Sequence, residues 1–512
     1  MTAPKVAISV LLASASGLSV TTAHAHGFGE RYDLPVPLNF FLVGAAATVA
    51  LSFAVIGLFV RRRPESYSYP RYNLLGPRPL AAVLTSRVFL IGIQAISVGL
   101  FLLVISTALF GTVRPIDNLS PTLVWIIWWV GMGYVAALLG HLWMLINPWK
   151  IVFEWGERLM GDPGTQGTGM FSYPERWDVW PALVLFVIFA WVENVYSGAA
   201  RPFNLGILIL LYSMVTWGGM LAFGKHQWLR HGEPFSVLFG FFARFSPTEV
   251  AVTNARLCGT CEVECELTDG RCIDCYACFE RAEAGQRELN LRPYAVGLAN
   301  PGRVSTATAL FVVLALATVT FDGFTATPTW GDIQTAAYST ASIFGQSTLD
   351  AIDTAGLVVL PLIFLAVYLV FSWAIGQLSG GQVPVAEVAR RFVFSLVPIA
   401  LAYNLAHFLS LLLVQGQLII PLASDPFGVG WDLFGTADYK LDIGIIGARF
   451  VWFMSVGAIV AGHIVAVYIA HVVALRTVPD HSSALRGQYP MLLLMVSYTA
   501  TSLWIIAQPV VN

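Results

Sequence analysis

The sequence predicts an all-α fold, a polytopic bundle of about ten transmembrane helices with one cysteine-rich insert, and three observations predict it. Hydrophobic residues make up 57% of the 512 and charged residues 11%, where a soluble domain carries about 25% charged residues. Apolar blocks of about 20 residues, the length that crosses roughly 30 Å of hydrocarbon, recur along the chain. All six cysteines fall within the longest polar interval, 225–303. The net charge of −2 and the lack of a basic tail or patch set nucleic-acid binding aside.

The first 25 residues read as a signal peptide. Lys5 is their only charge, Val6–Val20 is a short apolar core, and Ala23-His24-Ala25 fits an A-x-A cleavage site. Cleavage there leaves His26 as the mature N-terminus, at the head of a polar arm over 26–37. A first half over 38–223 holds spans at about 38–60, 87–110, 121–146, 179–197 and 204–223. The polar segment 224–303 follows. A second half over 304–512 holds spans at about 304–321, 355–376, 392–414, 445–474 and 489–509.

Charge orients the bundle. With the mature N-terminus outside, 22 basic residues fall in inner loops and 5 on the outer side, which is the positive-inside pattern. The expected location is a bacterial inner membrane, the lipid bilayer being the first partner, with both mature termini outside. The outer loops 322–354 and 415–443 read as acidic, Asp322 among their carboxylates.

In the inner segment, the apolar run Phe235–Phe242 is too short to cross, so Trp228–Phe245 reads as a helix in the membrane interface, with burial against other helices as the alternative. Behind it come Cys258, Cys261, Cys265, Cys272, Cys275 and Cys278. In a reducing compartment, clustered thiols bind metal rather than form structural disulfides. The C-x2-C pairs Cys258/Cys261 and Cys272/Cys275 suit a tetrahedral zinc site, with Cys265 or Cys278 able to replace one member. Cys272-x2-Cys275-x2-Cys278 also resembles the start of a ferredoxin motif whose C-x3-C-P continuation is missing, so an iron–sulfur cluster stands as the alternative.

A second constellation lies near the outer face. His26 at a mature N-terminus offers an amine and an imidazole, a pair that chelates copper. Glu193 sits about one turn from the end of its span, and Tyr403 and His407 share one face of the eighth. Ionisable groups inside a span are costly and mark sites or pathways. Glu193 and His407 are the candidate catalytic residues, and His26 and His407 the candidate ligands of an outer-face copper or zinc ion. His141, His463 and His471 read as packing residues. No Gly-x-Ser-x-Gly, His-Glu-x-x-His or dinucleotide fingerprint occurs.

Several stretches carry a resemblance: His26-Gly-Phe-Gly-Glu-Arg-Tyr-Asp-Leu-Pro-Val-Pro, Leu119-Ser-Pro-Thr, Asn147-Pro-Trp-Lys, Tyr173-Pro-Glu-Arg, Gly232-Glu-Pro-Phe-Ser-Val-Leu-Phe-Gly, Thr320-Phe-Asp-Gly-Phe and Tyr403-Asn-Leu-Ala-His407. The chain resembles a bacterial membrane-protein family named fenitrothion hydrolase; the cysteine segment is no part of that likeness. The resemblance implies cleavage of an organophosphate-type ester, for which a bound ion would activate water. Two other functions compete. One is a transporter with a site near the midplane, in keeping with five spans on either side of the insert. The other is a non-catalytic membrane subunit docked to a second membrane subunit, or to a cytoplasmic protein at the cysteine module.

Overall fold

The computed structural model describes residues 32–61, 69–159, 169–259, 261, 267–268, 270–341, 346–381, 383–478 and 480–511. The signal segment 1–25, His26 and Cys265 lie outside them. The fold is an all-α polytopic bundle. Among the described residues, ten helical stretches are long and apolar enough to cross a membrane. Five precede the cysteines: Leu38–Phe59, Arg78–Phe110, Leu119–Leu138, Glu175–Asn194 and Pro202–Phe223. Five follow: Thr306–Thr325, Ser347–Leu378, Val385–Ser424, Ala448–Thr477 and His481–Val510. They are spans one to ten here.

Burial sorts the spans into layers. Only 11% and 17% of the most apolar stretches of spans one and two are buried, against 61%, 67% and 61% for spans six, eight and nine. A helix that is apolar all round and uncovered by protein faces lipid, so the first pair is peripheral and the second-half trio central. Tyr32 N–H donates to the Val510 carbonyl (2.9 Å), so the start of the described chain meets the end of span ten on one side of the bundle.

Spans two, four and ten are broken near one end, whereas spans three and eight, the third of each half, are irregular along their length. Span three runs as a π-helix over Thr122–Val130, a wide register that is rare and frequent at functional sites. Span eight is interrupted by 3-10 turns at Val393–Leu396 and Gln415–Leu418. The irregular segments meet, with Gly416 against Ile126 and Ile127.

The interval between spans five and six does not form the interfacial helix expected of Trp228–Phe245. It folds as Lys225–His231 and Pro234–Ala243, and nine of the ten residues of the latter are buried. A helix lying in an interface keeps one face in contact with lipid; this one is enclosed by protein. Glu233 caps its start, accepting from the backbone N–H of Phe235 (3.0 Å) and Ser236 (2.7 Å) and from the Tyr212 hydroxyl, so the buried carboxylate has its partners.

The module proper begins at Thr248. Five short strands, β1 (Tyr72–Asn73), β2 (Thr248–Val252), β3 (Leu267–Thr268), β4 (Arg271–Ile273) and β5 (Arg287–Leu291), form an antiparallel sheet in the order β1-β5-β2-β4-β3. Gly270, just before β4, takes φ +70°, a conformation glycine adopts without strain. The edge strand β1 comes from the loop between spans one and two. It is secured by Glu249 of β2, which binds Tyr69 (2.7 Å), Arg71 (2.6 Å) and Arg292 (2.8 Å).

Candidate functional site

Inside the bundle, three spans bring ionisable groups together. Glu193, the last but one residue of span four, is packed against span three, whose Trp129 indole N–H donates to its carboxylate. Asp322, expected in an outer loop, lies instead within the helix of span six, which continues to Thr325. Its carboxylate meets His407 Nε2 of span eight at 2.8 Å. His407 is 2% exposed. Glu193 and Asp322 line one cavity of about 40 Å³ together with Trp129, Asn404 and Phe408, close enough to act on each other electrostatically. The short helix Pro234–Ala243 closes one wall through Leu238, Phe239 and Phe242.

The size of that cavity limits what it can hold. A water needs at least about 10–15 Å³ measured in this way, and organic ligands occupy pockets of roughly 300–1,000 Å³. In this conformation the space suits a water, a proton carrier or a small cation. Tyr403, one turn from His407 on span eight, stacks on the imidazole with ring centres 6.2 Å apart.

The cysteine module forms a second centre. Cys261, Cys275 and Cys278 place three sulfurs within 4.8 Å of one another, the one such group of possible metal donors found among the described residues. Cys261 Sγ and Cys275 Sγ are 3.6 Å apart. A tetrahedral ion with metal–sulfur bonds of about 2.3 Å sets its sulfurs about 3.8 Å apart, so the thiols fit a single ion. Local structure explains the arrangement. Asp274 takes φ +54°, a left-handed conformation that Asp tolerates, and turns the chain between β4 and the helix Tyr276–Arg281. Cys275 then caps that helix, accepting from Cys278 N–H (3.4 Å). Hydrogen bonds from Cys261, Cys272 and Cys278 push the Cys275 thiol well below the usual range, toward the thiolate that binds metal. Cys258 and Cys272, which C-x2-C spacing also named, are buried in the same cluster but outside the trio, and Cys278 joins Cys261 and Cys275 in it.

Charges join this module to the bundle. Glu280, two residues past Cys278, pairs with Lys150 from the segment between spans three and four, and with His226 at 3.5 Å. Lys225 continues the network to Glu154 (3.4 Å) and Glu157 (3.1 Å). Burial alone would raise the Glu280 carboxyl, but Lys150 and His226 hold it at about 2. Burial lowers His226 to about 4. These residues, with Cys275, line a cavity of about 1930 Å³ between module and bundle. The short buried helix separates it from the smaller cavity, presenting Val237, Gly240 and Phe241 to the large side.

Of the residues read from the sequence, Glu193 and His407 are thus brought to one place through Asp322, which sequence reasoning assigned elsewhere. The signal was present in Phe321-Asp322-Gly323, a lone carboxylate at the end of an apolar block. His463 and His471 are fully buried, and His471 bonds Gln488 (2.8 Å) and the Val60 carbonyl (2.7 Å), as a packing residue does. His141 lies edge-on to Tyr276 of the cysteine module, and burial lowers it to about 3. No family model, curated protein or solved structure matches the chain.

Proposed function

We propose that the chain is a proton-coupled transporter of a bacterial inner membrane, with Glu193, Asp322 and His407 as the proton-binding group and the cysteine module on the cytoplasmic side. One observation carries this reading: two carboxyl groups from opposite halves of the bundle face one small cavity, and one of them is bonded to a buried imidazole. Like charges that close in a low-dielectric site repel by several kcal/mol, so the group is stable with a proton or cation among its members. Irregular helices accompany such sites in transporters, and spans three and eight are irregular where they meet. The excess of basic residues in the loops on the module side supports the orientation.

Zinc is the ion proposed for the module. The thiols already stand at the separation one ion requires, whereas an iron–sulfur cluster interposes several atoms and would spread them.

A second reading, metal-assisted hydrolysis of an organophosphate-type ester, rests on the resemblance to the fenitrothion hydrolase family and on the Asp322–His407 bond. A carboxylate-bound imidazole is how proteins orient a metal ligand or a general base. The cavity is too small for such an ester in this conformation.

Purified protein in liposomes decides between them. Under a valinomycin potassium gradient, the transport reading expects proton uptake reported by an internal dye, lost in Glu193→Gln, Asp322→Asn and His407→Gln. Ester cleavage without proton uptake would overturn it in favour of hydrolysis.

A further inference from the structure

The proton-binding group is separated from the large module-side cavity by the short buried helix, whose face toward the small cavity is apolar. That face is Leu238, Phe239 and Phe242, none able to carry a proton, and the one hydroxyl on the face toward the large cavity, Ser236, donates to Glu233. A different set of side chains leads away from Asp322 within the second half. Tyr403 lies under His407, and its hydroxyl is so close to Gly323 that any side chain there would collide with it. That hydroxyl is buried and has no hydrogen-bond partner among the described residues. Tyr498 of span ten follows, its hydroxyl 2.6 Å from Thr320 Oγ1. Since Thr320 spends its own proton on the Leu316 carbonyl (2.7 Å), Tyr498 is the donor in that bond.

His463 of span nine comes next, with ring centres 5.9 Å from Tyr498. Its Nδ1 meets the Ile459 carbonyl at 2.8 Å, which fixes the proton on Nδ1 and leaves Nε2 as the lone-pair acceptor. Nε2 has no partner among the described residues, although the residue is 1% exposed. A buried polar atom left unsatisfied costs about 1–3 kcal/mol, and in hydrocarbon there is no solvent to relieve it. Tyr498 is near enough to Tyr403 to act on it electrostatically and lies beside His463, so water bridging through Tyr498 would satisfy both atoms. Span one, which packs on span nine, carries no ionisable side chain over Leu38–Phe59, so Tyr498 and the Tyr403 side of span eight supply the polar surroundings.

We propose that His463 is a second proton-binding station, reached from the Asp322–His407 pair through water-bridged Tyr403 and Tyr498. The step moves a proton only: an N–H or O–H bond breaks in the Asp322–His407 pair, an N–H bond forms at His463 Nε2, and no electron is transferred. This deepens the transport reading and rests on it.

The test uses the full chain in liposomes, with protons as the probe. His463→Gln is expected to lower potential-driven proton uptake at least tenfold, and Tyr498→Phe severalfold, with the amount of inserted protein unchanged. In histidine-labelled wild type, 15N spectra should show the His463 imidazole gaining a proton, with its titration shifted in Asp322→Asn. Uptake lost in Asp322→Asn but intact in His463→Gln would overturn the second station and leave the transport reading standing. Uptake intact in Asp322→Asn would overturn both. Should His463→Gln fail to insert, the spectra decide: an imidazole that stays neutral from pH 5 to 9 in wild type, unmoved by Asp322→Asn, removes the proposal.

Discussion

Cys261 and Cys275 are 14 residues apart in the chain, and a hairpin with a six-residue helix is enough to join them and Cys278. Asp322 and His407 are 85 residues apart, and Glu193 belongs to the other half of the protein. The cysteine centre is built by local turns and held by soft donors that share one thiolate. The intramembrane centre is built by helix packing and held by hard oxygen and nitrogen groups that share one small cavity. Local construction lets the first be read from spacing, and packing hides the second until the spans are assembled. It also separates their expected vulnerabilities: on the proposed reading, one would fail on loss of a bound ion, the other on deletion of a single charge.

The largest effect should come from that charge. Asp322→Asn keeps shape and removes the acid, and proton uptake into liposomes should fall at least a hundredfold, while the zinc content of the module stays constant. A fall in both would mean that the two centres are one unit, and the contrast would collapse. Next, Cys275→Ser with Cys278→Ser should take bound zinc from about one per chain to none by elemental analysis, since one remaining thiol of the trio cannot hold a structural ion.

A smaller effect tests the link between the regions. Glu280→Ala leaves Lys150 buried with a weaker partner set and should cost about 2 kcal/mol of stability in the detergent-solubilised protein. Glu280→Leu with Lys150→Met should recover most of it, as a double-mutant cycle would record. Acid should act in the same direction. Glu280 is held below its unfolded value, so its contribution is complete above the ordinary carboxylate range and is lost as pH falls toward about 2. His226 is lowered to about 4, so the unfolded chain binds the extra proton first as pH drops below about 6.5. Melting temperature should therefore decline from pH 7 to 4, and Glu280→Gln should flatten the lower part of the decline. The smallest effect is expected at Trp129→Phe, which removes one donor to Glu193 and should slow proton uptake about threefold, a cost under 1 kcal/mol.

The bundle was legible because lipid forces a simple code: about 20 apolar residues per span, with the remaining charge in loops. Ten spans follow from it directly. The code says nothing about which helices touch, so Glu193 and His407 could be singled out as costly residues without the partner that joins them. Asp322 was misplaced because the apolar block ends at Phe321, while the backbone continues as helix to Thr325. On sequence alone the short helix Pro234–Ala243 stands between the interface and the interior for a related reason, and the structure takes the interior. Ten apolar residues look interfacial when length alone is weighed, and only the Glu233 cap with Tyr212 shows how such a segment is housed in the interior.

Strand β1 sets a condition on how the protein is made. Asn73 must wait for Leu289, 216 residues later, before the sheet can acquire its edge, and four spans are threaded in the interval. The two strands arrive on the same side only when an even number of those spans has inserted. Skip one, and Tyr69 and Arg71 are stranded across the bilayer from Glu249, a buried carboxylate stripped of two of its three partners. Closure of the sheet is a parity check on the threading of the first half, completed only after the last of those spans is in place.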